Sequence, residues 1–254
     1  MRVVHIIPTY NERENIELLL EQLLKTAKTD KKRRHFILVV DDNSPDGTGD
    51  LVKKWMKKDK RINLSVGKKQ GLGTAMIRGL KYAMQKLVAD VVVPNEADFA
   101  FDPKYILPAL KKIDQGYDVV VGSRHVGKGN TQGWTLNRQL NHWVANTLFA
   151  TWVAGIGEVH DHNGAFRAVR VKGVLDKLNF KDYPTGFGFF CYWLYKLTLV
   201  TVKFYELPVT YQFRTRGESK VSFNPKYLLG YLHDVGEYIK LAFTIRREKL
   251  NIKE

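Results

Sequence analysis

The sequence contains one cysteine, Cys191, in 254 residues, which excludes an internal disulfide framework as a source of stability. It has no apolar run of the ~20 residues that a membrane-spanning helix needs. The longest candidates are Trp143–Ile156, which carries Asn146, and Phe187–Val202, which is interrupted by Lys196. Both are expected as buried helices. The apolar start, Met1–Pro8, is shorter than a signal-peptide core and runs at once into Asn11, Glu12, Arg13 and Glu14, so a cytosolic start is expected. Zinc-finger spacings, internal repeats and low-complexity tracts are absent. Acids are scarce beside bases, 26 against 41, leaving a net charge of +15.

That charge suits an anionic partner: nucleic acid, an anionic membrane surface or a phosphorylated substrate. The basic runs Lys31–Arg34 and Lys53–Arg61 hold a single aromatic residue, Trp55, and not the repeated interleaving of a single-strand binding face. No other nucleic-acid signature accompanies them, and nucleic acid is not an expected partner.

What is present is a folded, mixed chain: hydrophobic residues make up 44% and aromatics 12%, enough to bury a core in one large domain. Strand and helix signals alternate. Val3–Ile7, Phe36–Val40, Ile62–Val66, Val91–Pro94 and Tyr117–Gly122 read as buried strands. Glu14–Ala27, Thr48–Lys58 (with Thr48 as its cap) and Gly73–Leu87 carry apolar residues at helical spacing. This order predicts an α/β fold with a mainly parallel central sheet and helices on both faces.

Ligands of such sheets bind beyond the carboxyl ends of the strands. Those positions hold Pro8-Thr9-Tyr10-Asn11-Glu12, Asp41 to Thr48, Lys68 to Thr74, Glu96-Ala97-Asp98 and Gly122-Ser123-Arg124. Acids, amides, glycines and cations therefore gather on one rim. Glu96 and Asp98, one residue apart on an extended chain, would share a side and offer oxygen ligands to a hard divalent cation on a diphosphate. Asp41 or Asp42 is placed to accept hydrogen bonds from a base or ribose, and Tyr10 to stack on a base. Gly71 and Gly73 allow close backbone approach.

The segments PTYNE (Pro8–Glu12), DDNSPDGT (Asp41–Thr48), GLGTA (Gly71–Ala75), EAD (Glu96–Asp98) and GSR (Gly122–Arg124) resemble, in order and spacing, glycosyltransferase family 2 with the GT-A (nucleotide-diphospho-sugar transferase) fold. DHNGAFRA (Asp161–Ala168) and ELPVTYQFRTRGESK (Glu206–Lys220) are similar to its dolichol-phosphate, or polyprenol-phosphate, mannose synthase branch. The resemblance covers nearly the whole chain to about Ser222.

It implies an inverting, metal-dependent transferase moving mannose from GDP-mannose to a polyprenyl (dolichyl) phosphate. It also implies that Pro8, Tyr10, Glu12, Val40, Asp42 and Ala97 line the nucleotide pocket. Glu96 and Asp98 would hold Mg2+ or Mn2+, with Asp98 also catalytic. Arg124, Arg138, Arg214 and Lys220 would meet phosphates of donor and acceptor. The chain departs from the branch at Glu96, where the usual motif is Asp-x-Asp, at Ala100 and Phe101, and within Asp161–Arg167. The residues alone leave open a UDP-sugar donor, another acceptor, or a degenerate non-catalytic protein held at a membrane.

Residues 1–223 are expected to form the catalytic domain, and 224–254 an amphipathic, basic helical appendage. In that appendage Tyr227, Leu228, Tyr231, Leu232, Val235, Tyr238, Ile239, Ala242 and Phe243 lie on one face of a helix over Lys226–Arg247. Two uses compete for that face: packing on the chain's own domain, or lying in a membrane interface. The expected location is cytoplasmic, peripheral to the cytoplasmic face of a membrane, with a membrane-anchoring subunit as a possible partner.

Overall fold

A computed structural model describes residues 1–131, 134, 136–186, 188–211 and 225–253. Its central sheet has seven strands in the order β3-β2-β1-β4-β7-β5-β8. The strands are β1 (Arg2–Thr9), β2 (Arg34–Asp41), β3 (Ile62–Val66), β4 (Val91–Pro94), β5 (Val119–Ser123), β7 (Arg167–Arg170) and β8 (Phe204–Pro208). β6 (Asn130–Thr131) and β9 (Thr210–Tyr211) pair separately, in parallel. Helices α1 (Arg13–Thr29), α2 (Thr48–Lys58), α3 (Leu72–Gln85) and α4 (Ile106–Asp114) connect the first five strands. Then come α5 (Leu136–Trp143), which runs into a π-helical stretch over Val144–Val153, α6 (Phe189–Thr198) and α7 (Pro225–Lys253).

The sheet is mainly parallel because β1 to β4 are joined by helical crossovers. β7 alone runs antiparallel, between β4 and β5. Alternate residues of the Val/Ile runs supply both cores. Val4, Ile6, Leu38 and Val40 pack beneath Met76, Leu80 and Ala83 of α3. Val3, Ile7, Ile37 and Val39 face Leu19, Leu20 and Leu23 of α1 and Leu110 of α4. Gly79 permits the α3 contact: a Cβ there would stand 2.6 Å from Ile6 Cγ2 and 2.9 Å from Val40 Cγ2.

Several sequence expectations are corrected. The ends of β1, β2 and α1 reach one to two residues beyond the apolar runs, because buried polar residues such as Thr9, His35 and Asp41 continue the strands. Gly47, not Thr48, is the N-cap of α2. Thr48 Oγ1 instead donates to Asp46 Oδ1 at 2.6 Å and accepts from Glu12 N at 3.1 Å. The Trp143–Ile156 segment is not a buried helix: Trp143 is 48% and Trp152 65% exposed. α6 does meet the expectation of burial, from Phe189 to Tyr195.

The expected boundary at 223/224 lies outside the described residues. α7 packs back on the domain, with Ala242 and Ile245 buried, Tyr238 Oη donating to Asn163 Oδ1 at 2.8 Å and Lys249 Nζ donating to the Gly155 carbonyl at 2.6 Å. Leu232, Phe243, Leu250 and Ile252 on the same helix are exposed. No helix among the described residues is long and apolar enough to cross a membrane.

Candidate functional site

The carboxyl ends of β1 and β2 carry two loops bound to one another. Asp41 accepts Thr9 Oγ1 at 2.9 Å, Ser44 N at 2.9 Å and Ser44 Oγ at 2.6 Å. Ser44 Oγ in turn accepts Asn11 N at 3.0 Å, and Asp46 accepts Arg13 N at 3.0 Å. Burial works against the Asp46 carboxylate, but its bonds from Thr48 and Arg13 hold it below its ordinary range. Asn11 (φ 58°) and Asn43 (φ 54°) turn the two loops in the left-handed region, which asparagine tolerates best among residues with a side chain. Asp41 is thus taken up in holding the loops, and Asp42 is buried beside it. Asp42 Oδ1 is oriented by Arg78 Nη2 at 2.7 Å.

Of the other residues expected around a nucleotide, Pro8 and Tyr10 are half-buried on this rim, with Lys69 Nζ 3.7 Å above the Tyr10 ring. Glu12 Oε2 accepts Asn15 Nδ2 at 2.9 Å. The side chains of Val40 and Ala97 are buried in the cores on either side of the sheet, so any ligand contact there is made by backbone. Lys69 belongs to the rim segment expected from the sequence, whereas Arg78 does not, since no spacing signal connects it with Asp42.

Glu96 and Asp98 follow β4, but not in the extended geometry expected. The chain turns at Ala97-Asp98, Asp98 Oδ1 accepts Ala100 N at 3.1 Å, and Phe99 adopts φ 60°. The turn sets both half-buried carboxylates at the sheet edge without strand alternation. An all-oxygen donor set of two carboxylates matches the chemistry of Mg2+ or Mn2+.

Opposite lies Arg124, at the end of β5. Its guanidinium is bidentate on Asp161, with Nε at 2.7 Å from Oδ2 and Nη2 at 2.6 Å from Oδ1, and its backbone N adds a third bond at 3.0 Å. Burial opposes the charge on Arg124, but the Asp161 carboxylate, with Tyr211 and Glu96 contributing, holds its pKa above the ordinary arginine value. Burial would raise the Asp161 carboxyl, and Arg124 outweighs it, keeping Asp161 well below the carboxylate range. Trp134 and Tyr211 both stand 5.4 Å from the guanidinium carbon. Asp161 is held in turn by its loop: Asn146 Oδ1 accepts His162 N at 2.9 Å, and the His162 carbonyl accepts Arg167 Nη2 at 2.7 Å.

Glu96 and Arg124 open onto a cleft of about 330 Å³. Its walls include Phe101, Phe149, Val235 and Ile239 together with Asn141, His142, Asn163 and Asp234, so charged and polar groups share a largely apolar lining. His125, His142 and Asp161 also come together. The histidines bond to one another, Nε2 to Nε2, at 2.9 Å, and Arg124 engages both Asp161 oxygens, so these groups are already committed. Arg214 and Lys220 lie outside the described residues. Arg138 lies on α5, with its side chain outside them.

Residues 5–176 match the family model described as glycosyl transferase family 2. The chain is 34% identical over 227 residues to the undecaprenyl-phosphate mannosyltransferase of Micrococcus luteus, covering 87% of this chain and 88% of that one. It is 32% identical over 224 residues to the polyprenol monophosphomannose synthase of Mycolicibacterium smegmatis, covering 87% and 81%. Among solved structures, it is similar to a mannosyltransferase from Pyrobaculum calidifontis in complex with GDP-Man and Mn2+. That likeness has a TM-score of 0.57 at 17% identity and covers 99% of this chain and 74% of that one. At that identity it bears on the fold alone, which is GT-A.

Proposed function

The chain belongs to glycosyl transferase family 2 and is a glycosyltransferase, and we propose that it moves mannose from GDP-mannose to a polyprenyl phosphate with inversion. The observation that carries this reading is the amphipathic cleft, in which Glu96 and Arg124 share a lining with Phe101, Phe149, Val235 and Ile239. A lipid phosphate has that polarity: a dianionic head on a hydrocarbon tail. The relatives that act on undecaprenyl and polyprenyl phosphates support it.

Asp42, Tyr10 and the backbone at Val40 and Ala97 receive the nucleoside. Glu96 and Asp98 would hold Mg2+ or Mn2+, which when bound would neutralise the charge that develops on the departing diphosphate. Arg124, with Arg138, Arg214 and Lys220, binds and orients phosphate oxygens. Asp161 occupies Nε and Nη2 of Arg124, which fixes the guanidinium plane with its Nη1 edge turned away from the carboxylate. The acceptor phosphate is already ionised near neutral pH, so its oxygen needs orientation rather than a base. That oxygen bonds to the anomeric carbon as the bond to the GDP oxygen breaks, and the electron pair leaves with GDP. Attack from the face opposite the diphosphate inverts the centre.

A lipid phosphate stays in its bilayer, so the enzyme works at the surface. α5, the π-helical stretch and α7 all contribute to the cleft wall and also expose Leu136, Leu140, Trp143, Trp152 and Phe243. Together with the net charge of +15, this supports peripheral, salt-sensitive binding to anionic lipid.

The test is transfer of radiolabel from GDP-mannose to polyprenyl phosphate, with divalent metal present or chelated. Lipid-linked mannose that requires metal is expected, and UDP-glucose serving equally well would refute the donor assignment. Flotation should show binding to anionic vesicles that weakens with salt. No binding to any vesicle by an enzyme active on detergent-dispersed acceptor would shift recruitment to a separate anchoring subunit.

A further inference from the structure

A line of polar side chains crosses the apolar interior beneath β1 and β2. His5, in the middle of β1, is fully buried, and His35 near the start of β2 is 3% exposed. Neighbours on the same face, Val3, Ile7, Ile37 and Val39, are aliphatic, so an aliphatic residue would suit either histidine position for packing alone. The side chains instead form a chain of contacts. Asn95 Nδ2 meets His5 Nδ1 at 3.4 Å, His5 Nε2 meets His35 Nδ1 at 2.9 Å, and His35 Nε2 meets Asp30 Oδ2 at 3.0 Å. Asp30 is anchored by Arg33 Nη1 at 2.6 Å and by Lys32 N at 3.0 Å, and Arg33 also pairs with Asp114 of α4.

The proton positions follow from one fixed group. Asn95 Nδ2 also donates to the Val93 carbonyl at 2.7 Å, which can only accept, so the amide nitrogen faces His5. His5 Nδ1 therefore accepts, and its Nε2 carries the proton and donates to His35 Nδ1. His35 Nε2 then donates to the Asp30 carboxylate. Every ring nitrogen has a partner with both imidazoles neutral, which is the state that burial favours.

This line ends where the chemistry begins. Asn95 leaves β4 one residue before Glu96, and its backbone N bonds to the Ile6 carbonyl at 2.9 Å. The chain then turns through Ala97-Asp98 to Phe99 in the left-handed region. We propose that His5 is a positioning residue: with His35 and Asp30 behind it and Asn95 in front, it fixes the exit of β4 and so the placement of Glu96 and Asp98 for the metal. This rests on the reading that those two carboxylates hold Mg2+ or Mn2+. Outer partners of that kind typically change metal affinity by about 10–100-fold.

The test is Mn2+ binding in the presence of GDP, followed by the loss of the free-ion electron paramagnetic resonance signal, for wild type, His5→Val, Asn95→Leu, the double variant and Asp98→Ala. His5→Val and Asn95→Leu should each weaken Mn2+ binding by about tenfold, and the double variant should be no weaker than the worse single. Asn95→Leu cuts the line at the rim and keeps the test intact if His5→Val folds poorly. Wild-type Mn2+ affinity in folded His5→Val or Asn95→Leu, with binding lost in Asp98→Ala, would overturn the positioning role alone. Unchanged binding in Asp98→Ala would remove the metal reading, and the inference with it.

Discussion

Replacing Asp161 with alanine tests whether the buried pair with Arg124 orders the phosphate end of the cleft. The Asp161 side chain is fully buried and that of Arg124 is 5% exposed, so solvent screens the pair little. Removal of the carboxylate strands a guanidinium that loses two bonds to it and a backbone N–H that loses a third. Breaking one side of a buried pair costs about 3–5 kcal/mol. For a chain of this size each 1 kcal/mol moves Tm by about 2–4 °C, so a fall of roughly 6–20 °C is expected. Arg124→Ala should cost a similar amount, and the double variant about 2–3 kcal/mol less than the sum, because neither charge is then stranded.

The pH dependence of that loss has a defined sign. Asp161 titrates well below an unfolded aspartate, so its contribution is complete above the unfolded value near 3.9 and is lost as pH falls through its folded value. The gap between wild type and Asp161→Ala should be flat from pH 7 to 5 and should narrow only below about pH 4. Chemical denaturation at several pH values measures both quantities. A Tm change under 2 °C, or strictly additive costs, would show that the pair carries neither stability nor order.

Asp98→Ala should lower turnover by about 10²-fold or more, and chelator should abolish transfer by the wild type; full activity in excess chelator would sink the metal assignment. Acid should destabilise the fold through the buried histidines: burial pushes His5 down to about 3 and lowers His35, so their contribution is complete above pH ~6.5 and declines below it. His5→Val should flatten that decline in a Tm-against-pH series, and an unchanged profile would refute the assignment. Gly79→Ala would press on Ile6 and Val40 and should cost about 1–3 kcal/mol by overpacking; a neutral result in chemical denaturation would mean that α3 shifts freely.

The parts of the fold legible in the sequence were those whose burial is local. β1, β2 and β4 are Val/Ile runs buried on both faces, and such runs identify themselves. β7 did not: Arg167-Ala-Val-Arg170 looks like surface, yet Arg167 is fully buried. Its charge is met by the His162 carbonyl and by the rings of Phe190 and Trp193 at 5.5 and 5.4 Å. Those partners come from elements that no spacing rule connects. The site shows the same division. The rim of acids and glycines was visible as strand ends, whereas the Arg124–Asp161 pair spans 37 residues and depends on β7 entering the sheet beside β5. The turn at Glu96–Asp98 was misjudged because strand alternation was carried past the last residue of β4.

Packing of α7 on its own domain leaves part of its apolar surface uncovered. Ala242 and Ile245 close the core while Leu232, Phe243, Leu250 and Ile252 remain exposed, so one helix is apolar on more than one face. Packing consumes only the inner stripe. Val235 and Ile239 then line the cleft that ends at Arg124, which places the helix between solvent and the substrate channel. An outward apolar face costs solubility unless something covers it. On the proposed function a bilayer would do so, and the tail of a lipid phosphate would reach the charged groups past an apolar wall. The helix thus supplies inward packing and a cleft wall, and on the proposed function its outer face would meet lipid. This accounts for an apolar pattern broader than a single amphipathic stripe.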